Sequence, residues 1–465
     1  MRRSRPLTVR RLALVLALVG GAVVSLVEAR PQDEAAATAT LPATLPSTST
    51  VPTTSSTSTT VTTTTLAPAT TTTTVAPLAP APPGFVEAVQ AALADPRFEA
   101  ATVGLAVWVE GLGMVVSHNA EMALRPGSNE KLLVAWGAYG VLGATGALLT
   151  EVRAAGEVAG NTLAGDLVLV GGGDPTLRST GPHSLDRLAQ AVRAAGITYV
   201  TGDLVVDESR FDGQRKAPGW TERHVPNFVG PLSAVAVDFN VHRTDPEYLA
   251  HPALGNLNLF RAALQARGVT VAGGERAGPA PEPAPVIAAL RSPPVAGLVA
   301  QMLTNSDNFV AEMLLKAVGY YAKGLGSWDN GVAAVQELAL EAGVALTGRA
   351  ADGSGLSREN SRPAREWAEL LAVARDQPWF DSFLGGLAVA GRTGTLANRF
   401  LGTPAAGNVR AKTGSVREAR ALSGYLTTAG GRRVAFSLVV NSNPVPVAVI
   451  AAMDGLVASM AANPA

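Results

Sequence analysis

The sequence contains no cysteine, and this absence removes several kinds of chemistry at once. Of its 465 residues 47% are apolar, which is enough for a sizeable core, but no disulfide can crosslink that core. Thiol catalysis and thiolate metal sites are excluded as well. The lack of cysteine does not by itself indicate a cytosolic protein, because exported proteins with large cores can dispense with disulfides.

Lysine is also scarce, with five lysines among 37 basic residues. Arginine fills nearly every other basic position, and a lysine can lose its proton in a suitable site whereas an arginine effectively cannot. Each retained lysine is therefore worth inspecting. Two of them, Lys131 and Lys412, fall in the motifs described below. We expect Lys216, Lys316 and Lys323 to be surface residues.

Histidine is equally sparse, and the five histidines are scattered without a paired pattern. The sequence has no Gly-x-Ser-x-Gly segment for a nucleophile elbow and no His-Glu-x-x-His helix for zinc. A Ser-His-Asp hydrolase and a zinc peptidase are therefore disfavoured.

Positive charge is concentrated at the amino terminus. Residues 2–11 hold five arginines and residues 12–27 are apolar, an order typical of an export signal. The apolar run is slightly short for a membrane span, which usually needs about 20 residues, and Val27-Glu28-Ala29 would serve as a cleavage site. We expect residues 1–29 to be a signal peptide. An uncleaved membrane anchor remains the alternative, so N-terminal membrane association stays open.

Residues 30–83 consist mostly of threonine, proline, alanine and serine. This composition cannot bury a core and predicts an extended, disordered linker. The chain after residue 29 has 32 basic and 36 acidic residues, which argues against nucleic acid as the main partner, since phosphate binding needs a clustered basic face. We expect an exported protein, in the cell wall or at the outer face of the cytoplasmic membrane.

Globular sequence begins near residue 84, and its two ends predict strands of a single sheet flanked by helices. A long apolar helix is expected at 129–142. The predicted strands are 102–109, 114–118, 409–416, 421–428 and 432–440, and the predicted terminal helices are 86–94 and 445–461.

The middle of the chain has a different pattern, because residues 160–278 are rich in glycine and in short β-like runs such as DLVLVGGG. We predict a β-rich accessory domain at 151–291. It is inserted into an α/β (α+β) domain that is formed by 84–150 and 292–465.

The helix expected at 129–142 begins with a hydroxyl and an amine on one face. Arg125-Pro126-Gly127 breaks the chain immediately before it, Ser128 stands at its first turn, and Lys131 follows three residues later. The hydroxyl lies at the positive end of the helix dipole. A serine needs an adjacent base to act as a nucleophile, and a lysine with a lowered pKa can be that base. Taken alone, this pattern is weak, and an N-capping serine with an exposed lysine would be its usual explanation.

Two further motifs have simple structural explanations when each is taken alone. Lys412-Thr413-Gly414-Ser415 lies on a predicted strand, where a glycine lets another backbone approach closely. Polar decoration of an edge strand would also explain it. Ser306-Asp307-Asn308 precedes a helix and could be a plain N-cap.

The combination of the three motifs is far more specific than any one of them. Ser-x-x-Lys at a helix start, then Ser-Asp-Asn, then Lys-Thr-Gly on a late strand is the motif order of β-lactamases and penicillin-binding proteins. Over about 84–461 the sequence resembles the low-molecular-mass class C penicillin-binding proteins, the D-alanyl-D-alanine carboxypeptidase/endopeptidases similar to penicillin-binding protein 4. Stretches such as GDLVLVGGGDPTL, DGSGLSREN and the GTL at 394–396 add to the resemblance. Serine β-lactamases have no comparable insert.

The resemblance implies a role for each matching residue. Ser128 would be the nucleophile, Lys131 its general base, and Ser306 a proton relay toward the leaving amine, helped by Lys412. Asn308 would hold a substrate amide and orient Lys131. A charged Lys412 nearby would favour a neutral Lys131. Thr413, Gly414 and Ser415 would belong to the substrate-binding strand, and Thr413 and Ser415 would bind the terminal carboxylate beside Lys412. The N–H groups of Ser128 and Ser415 would form the oxyanion hole.

The implied reaction is two-step acyl transfer on peptidoglycan stem peptides ending in D-Ala-D-Ala, with β-lactams as covalent inhibitors and no cofactor or metal. Carboxypeptidase and endopeptidase action both remain open. The alternatives are a β-lactamase or esterase on the same scaffold, and a non-catalytic wall-binding protein. The glycines and serine of 353–355 are expected to serve a turn.

Overall fold

The computed structural model describes residues 84–464, so the signal and linker predicted at 1–29 and 30–83 lie outside the described residues. The strands are β1 (Thr102–Val109), β2 (Gly113–His118), β3 (Ala123–Leu124), β4 (Leu149–Ala159), β5 (Thr162–Val170), β6 (Tyr199–Val200), β7 (Leu204–Asp207), β8 (Thr270–Val271), β9 (Glu275–Ala277), β10 (Val286–Arg291), β11 (Arg362–Pro363), β12 (Ala388–Val389), β13 (Arg410–Val416), β14 (Ala419–Thr427) and β15 (Arg433–Asn441). The helices are α1 (Phe85–Leu93), α2 (Lys131–Gly137), α3 (Leu185–Ala194), α4 (Pro246–Ala250), α5 (Pro252–Ala266), α6 (Val295–Asn305), α7 (Asn308–Lys323), α8 (Trp328–Glu341), α9 (Ala364–Ala374), α10 (Phe380–Gly386) and α11 (Val449–Ala462).

The main sheet has the order β12-β13-β14-β15-β1-β2, with every neighbouring pair antiparallel. Strand β1 pairs with β15 from Thr102 opposite Asn441 to Val109 opposite Val434. These strands come from opposite ends of the chain, so both termini close one sheet. The predicted α+β class, a transpeptidase-like sheet flanked by helices, is confirmed.

One face of the main sheet is covered by the two terminal helices. Inward-facing residues of the central strands, such as Leu105 and Phe436, pack with Val89 of α1 and Leu456 of α11 in one buried cluster. Alternate strand residues point to the same face, which places this apolar set against the helices. Helix α11 begins four residues later than predicted, after Pro446, because proline lacks an N–H and restricts the residue before it.

A helical layer covers the opposite face. Ala364 and Ala368 of α9 pack on Ala106 of β1, and α2, α6, α7 and α8 build a core behind them. The helix predicted at 129–142 has three parts: a 3₁₀ turn at Gly127–Glu130, then α2, then a π turn at Ala138–Leu142. Every residue of α2 is buried, which explains why its sequence shows no polar face.

The insert contains a second sheet with the order β10-β4-β5-β6-β8, in which β7 pairs with β5 and β9 with β7. The pairs that β5 makes with β6 and β7 are parallel. Leu188 of α3 and Phe260 of α5 pack with Leu167 of this sheet in one cluster. In addition to the predicted strands, the insert thus carries helices that its glycine-rich pattern did not indicate. Its limits at 151 and 291 stay a prediction.

A segment after β7 leaves the second sheet and joins the helical core. Phe211, Val225 and Leu232 are buried in the same cluster as residues of α2 and α7. The indole Nε1 of Trp220 donates to Asp352 at 2.7 Å. This return path brings backbone of the insert next to the amino end of α7.

The prediction that Lys316 is a surface residue is wrong. Its side chain on α7 is fully buried, and Nζ donates to Asp212 Oδ1 at 2.6 Å and to the carbonyl of Gln214 at 2.8 Å. The same Nζ lies 4.0 Å from the ring centroid of Trp328. A buried ammonium needs such partners, and the sequence alone does not show them because Asp212 is 104 residues away.

We expect Lys316→Met to lower the free energy of unfolding by about 3 kcal/mol, because it leaves the carboxylate of Asp212 without its buried partner. Urea unfolding followed by circular dichroism measures this. Lys323→Met is the matched control: its ion pair with Glu337 is partly exposed and should be worth about 0–1 kcal/mol. Equal losses in the two variants would contradict the structural importance of Lys316.

Among residues 84–464, no helix is long and apolar enough to cross a membrane. In the same range, no group of three or more histidine, aspartate or glutamate side chains is placed to hold a metal ion.

Candidate active site

Ser128 lies where three backbone segments meet, and glycines make this approach possible. Gly127 has a left-handed φ of 52°, which favours glycine. A Cβ on Gly414 of β13 would lie 2.3 Å from the carbonyl oxygen of Pro126, and a Cβ on Gly355 would lie 1.9 Å from that of Gly127. The prediction that Gly414 permits close approach of another backbone therefore agrees with the geometry.

The turn that carries Ser128 is also hydrogen-bonded to the main sheet. The amide Nδ2 of Asn129 donates to Ser423 Oγ at 2.6 Å, and Ser423 Oγ donates to Ser437 Oγ at 2.8 Å. Both serines are fully buried on β14 and β15. The position of Ser128 is thus coupled to the centre of the sheet.

Lys131 brings two of the sequence motifs together. Its Nζ lies 3.1 Å from Ser128 Oγ, 2.9 Å from Asn308 Oδ1 and 2.6 Å from the carbonyl oxygen of Ser354. The sequence motifs predict the first two partners but not the third. Residues 353–355 were expected to serve only a turn, and a main-chain carbonyl leaves no signal in residue type.

The three residues of the Ser-Asp-Asn motif have different structural roles. Asp307 caps α7 by accepting from the N–H of Val310 at 3.0 Å, so capping occupies only the middle residue. Ser306 has a left-handed φ of 61°, an uncommon conformation for a non-glycine residue. Asn308 Nδ2 donates to the carbonyl of Phe228 at 3.1 Å, a contact from the insert that the sequence did not reveal.

Lys412 joins the third motif to the second. Its Nζ donates to Ser306 Oγ at 2.9 Å and to the carbonyl of Thr413 at 2.8 Å. Thr413 Oγ1 donates to Thr395 Oγ1 at 2.8 Å, while Ser415 is exposed. All eight residues predicted for the site therefore lie in one connected region.

Strand β13 has an open edge at this point. Its neighbour β12 pairs only with Arg410 and Ala411, so within residues 84–464 no strand pairs with this side of β13 from Lys412 onward. On this part of β13, Lys412 contacts Ser306 and Gly414 lies against the turn that carries Ser128.

The electrostatics of the two lysines differ from the expectation in one respect. Burial lowers the pKa of Lys131 to about 8, and the negative charges of Glu312 and Asp352 oppose this effect. Burial, and then the charge of Lys131, holds the pKa of Lys412 well below its usual range. Burial, rather than Lys412, is thus the main cause of the weakened basicity of Lys131.

Comparison with known proteins identifies the family of this chain. A sequence model described as the D-Ala-D-Ala carboxypeptidase 3 (S13) family matches residues 85–257 and 247–460. The chain belongs to this family. Over 450 residues it is 32% identical to a D-alanyl-D-alanine carboxypeptidase of Actinomadura sp., covering 78% of this chain and 82% of that protein. The resemblance drawn from the motifs is confirmed.

Two further comparisons agree with this result, one for the family and one for the fold. The chain is 32% identical over 394 residues to the carboxypeptidase DacB of Mycolicibacterium smegmatis, covering 77% of this chain and 80% of that protein. The crystal structure of penicillin binding protein 4 from Haemophilus influenzae superposes with a TM-score of 0.73 at 20% identity, covering 82% of this chain and all of that one. This S13 chain therefore has the fold of that protein.

We expect Gly414→Ala to slow acylation of Ser128 on the order of 100-fold, because the new methyl would force the Pro126 carbonyl away and displace the Ser128 turn. The measurement is the second-order rate constant for labelling by a fluorescent penicillin. Gly455→Ala, on α11 with open space around its Cβ position, is the control and should react like the unmodified protein. An unchanged rate for Gly414→Ala would contradict the packing described here.

Proposed function

We propose that the chain is a serine D-Ala-D-Ala carboxypeptidase/endopeptidase that acts on peptidoglycan stem peptides through an acyl-enzyme and is inhibited by β-lactams. Its family supports the reaction. The single observation that carries the residue roles is the set of partners around Lys131 Nζ: one hydroxyl, Ser128, and two carbonyl oxygens, those of Asn308 and Ser354.

These partners orient a neutral amine for base catalysis. A neutral lysine has two N–H donors and one lone pair, and carbonyl oxygens can only accept. When the N–H groups serve Asn308 and Ser354, the lone pair faces the hydroxyl of Ser128. Lys131 can then take the Oγ proton as Oγ attacks the carbonyl carbon between two D-alanines.

The oxyanion of the tetrahedral intermediate is held by main-chain N–H groups. The Cβ position of Gly127 lies 3.2 Å from Ser415 N, and that of Gly414 lies 3.3 Å from Ser128 N. The turn that carries Ser128 and the part of β13 that carries Ser415 are thus in close contact. Backbone donors at this place stabilise charge that develops in the transition state.

The leaving amine receives its proton through the second pair of residues. As the C–N bond breaks, Ser306 donates its hydroxyl proton to the departing nitrogen, and the proton taken by Lys131 replaces it. Lys412 Nζ donates to Ser306 Oγ and to the carbonyl of Thr413. When Lys412 is protonated, its third N–H is left for the terminal carboxylate, beside Thr413 and Ser415. A water then attacks the ester, releasing the shortened peptide and regenerating Ser128.

The open edge of β13 suits an extended peptide, whose main chain can hydrogen-bond to unpaired strand groups. A cross-linked peptide would occupy the same edge with a larger leaving group, so endopeptidase action requires no further chemistry. A β-lactam would place its amide in the same position and acylate Ser128, after which its leaving nitrogen stays tethered.

The location follows as part of this proposal. The substrate lies outside the cytoplasmic membrane, and residues 1–29 have the arginine-rich and apolar order of an export signal. A fusion of residues 1–83 to alkaline phosphatase, which is active only after export, tests it. An inactive but stable fusion would contradict export.

The function is tested with the purified full chain and a peptide ending in D-Ala-D-Ala, measuring free D-alanine by chiral chromatography. We expect D-alanine release that benzylpenicillin abolishes, with a stable adduct on the proteolytic peptide that contains Ser128. Rapid hydrolysis of penicillin without peptide cleavage would instead identify a β-lactamase. A folded protein with neither activity would support a wall-binding protein.

A further inference from the structure

A buried carboxylate stands directly behind the base of the proposed mechanism. Glu312 lies on α7, one helical turn after Asn308, so both side chains share a face of that helix. It is fully buried and touches none of the groups that the proposed reaction uses. A buried ionisable group without such a use needs an explanation.

The partners of Glu312 define what it holds. Its carboxylate accepts from the N–H of Ser354 at 2.7 Å, from the N–H of Gly353 at 3.0 Å and from the indole Nε1 of Trp328 at 2.7 Å. Ser354 is the residue whose carbonyl oxygen lies 2.6 Å from Lys131 Nζ. The segment of residues 353–354 therefore connects the carboxylate of Glu312 to Lys131, the proposed base.

The rest of the turn makes this connection rigid. Asp352, also buried, accepts from the N–H groups of Gly355 at 2.8 Å and Ser357 at 2.6 Å. A Cβ on Gly353 would lie 2.9 Å from the carbonyl oxygen of Ala311, so the turn is pressed against α7. The carbonyl of Ser354 has little freedom to leave Lys131.

We propose that Glu312 is a positioning residue for the general base. Glu312 accepts hydrogen bonds from two consecutive N–H groups and so fixes the carbonyl of Ser354, which accepts one N–H of Lys131. This directs the lone pair of Lys131 to Ser128. Its negative charge also favours the protonated form of Lys131, so Glu312 raises the pH at which the base becomes active, against the effect of burial. The proposal rests on the proposed function for the role of Lys131.

The charged groups around Lys131 identify Glu312 as the dominant one. Glu312 is the largest of the charges that raise the pKa of Lys131, followed by Asp352, Asp307 and Glu130; Lys412 faces it from β13 with the opposite effect. Burial raises the pKa of Glu130 to about 8, so this residue is mostly neutral below that pH.

The hydrogen bonds to Glu312 favour its ionised form. Burial and the charge of Asp352 raise the pKa of Glu312, whereas the three N–H donors lower it. Lys316 on the same helix also senses the charge of Glu312, although its own partner is Asp212.

The test uses the small number of lysines in the full chain. Labelling with [ε-¹³C]lysine gives five lysine signals in a nuclear magnetic resonance spectrum. The signal that is lost in Lys131→Arg belongs to Lys131. We expect Glu312→Gln to move the titration midpoint of Lys131 down by about one pH unit, the lower end of the effect of a close opposite charge. The pH dependence of acylation by a fluorescent penicillin should shift in the same direction, so that acylation between pH 7 and pH 8 is about threefold faster relative to its maximum.

Glu366→Gln is the matched control. Glu366 is equally buried and likewise accepts from two consecutive N–H groups, those of Thr347 and Gly348. It should lose stability without moving the Lys131 midpoint. An unmoved midpoint in folded Glu312→Gln, or an equal shift in Glu366→Gln, would overturn the proposal.

A second variant covers the case in which Glu312→Gln fails to fold. Trp328→Phe removes one hydrogen-bond donor to Glu312 and keeps an aromatic ring beside Lys316. It should lower the titration midpoint of Lys131 by a smaller amount. An unchanged midpoint would also overturn the proposal. The magnetic resonance readout needs no substrate. A protein that penicillin does not acylate would therefore contradict the proposed function, while the midpoint would still decide the role of Glu312.

Discussion

Replacing Ser128 with alanine should abolish covalent labelling by penicillin, because no oxygen remains to form the ester. D-alanine release should fall on the order of 10⁶-fold, the loss seen when a serine peptidase loses its nucleophile. Ser128 is only half-buried, and its Oγ has Lys131 as its recorded partner. Removing that oxygen should therefore change the melting temperature little. The measurements are gel fluorescence after labelling and chiral analysis of released alanine.

Ser117→Ala is a suitable control for that experiment. Ser117 lies on β2, in a Ser-x-Asn sequence that ends at Asn119, and is exposed. It should label like the unmodified protein. Persistent labelling of Ser128→Ala would mean that another residue is acylated, and the assignment of the nucleophile would then be wrong.

Lys131→Met should reduce the acylation rate constant by about 10²- to 10⁴-fold, the usual contribution of a general base. With Lys131 present, the rate should rise about tenfold per pH unit up to about pH 8, where the lysine is half neutral. The methionine variant should lose this rise. Stopped-flow measurement of penicillin acylation from pH 6 to pH 10 distinguishes the two.

The same variant should not be less stable at neutral pH. The folded-state pKa of Lys131 lies below its usual value of 10.5, so the unfolded chain binds the proton more strongly. Stability is consequently reduced below about pH 8 and recovered as the pH rises from 8 to 10.5. Methionine removes that burial cost, and an unchanged or raised melting temperature is expected. A variant that is inactive because it is unfolded would contradict this account.

The residues of the candidate site could be proposed from sequence because their chemistry depends on residue type. A serine three residues before a lysine, a Ser-Asp-Asn triplet and a Lys-Thr-Gly strand each place reactive groups at a defined spacing. The terminal strands were predictable for a similar reason, since residues such as Leu105 and Leu438 belong to apolar runs bounded by turns. Local pattern carries this information.

The predictions that were wrong or missing depend on contacts that a local sequence pattern does not contain. Lys316 was assigned to the surface because its partner Asp212 is remote in sequence. The carbonyls of Ser354 and Phe228 were missed because a main-chain oxygen is the same in every residue. Helix α3 has an amphipathic pattern and an N-capping Ser184, but it lies within glycine-rich sequence that favoured strands.

The sequence by itself determined the family, the α+β class and which hydroxyl and amine side chains are candidates for the site. Only the tertiary structure decided their environment: burial that lowers the basicity of Lys131, the two carbonyls that leave its lone pair for Ser128, and the carboxylate of Glu312 behind them. The physical reason is that basicity and hydrogen-bond direction depend on what surrounds a group in space. Those neighbours come from α7, the Ser354 turn and β13, which are joined only when the chain folds.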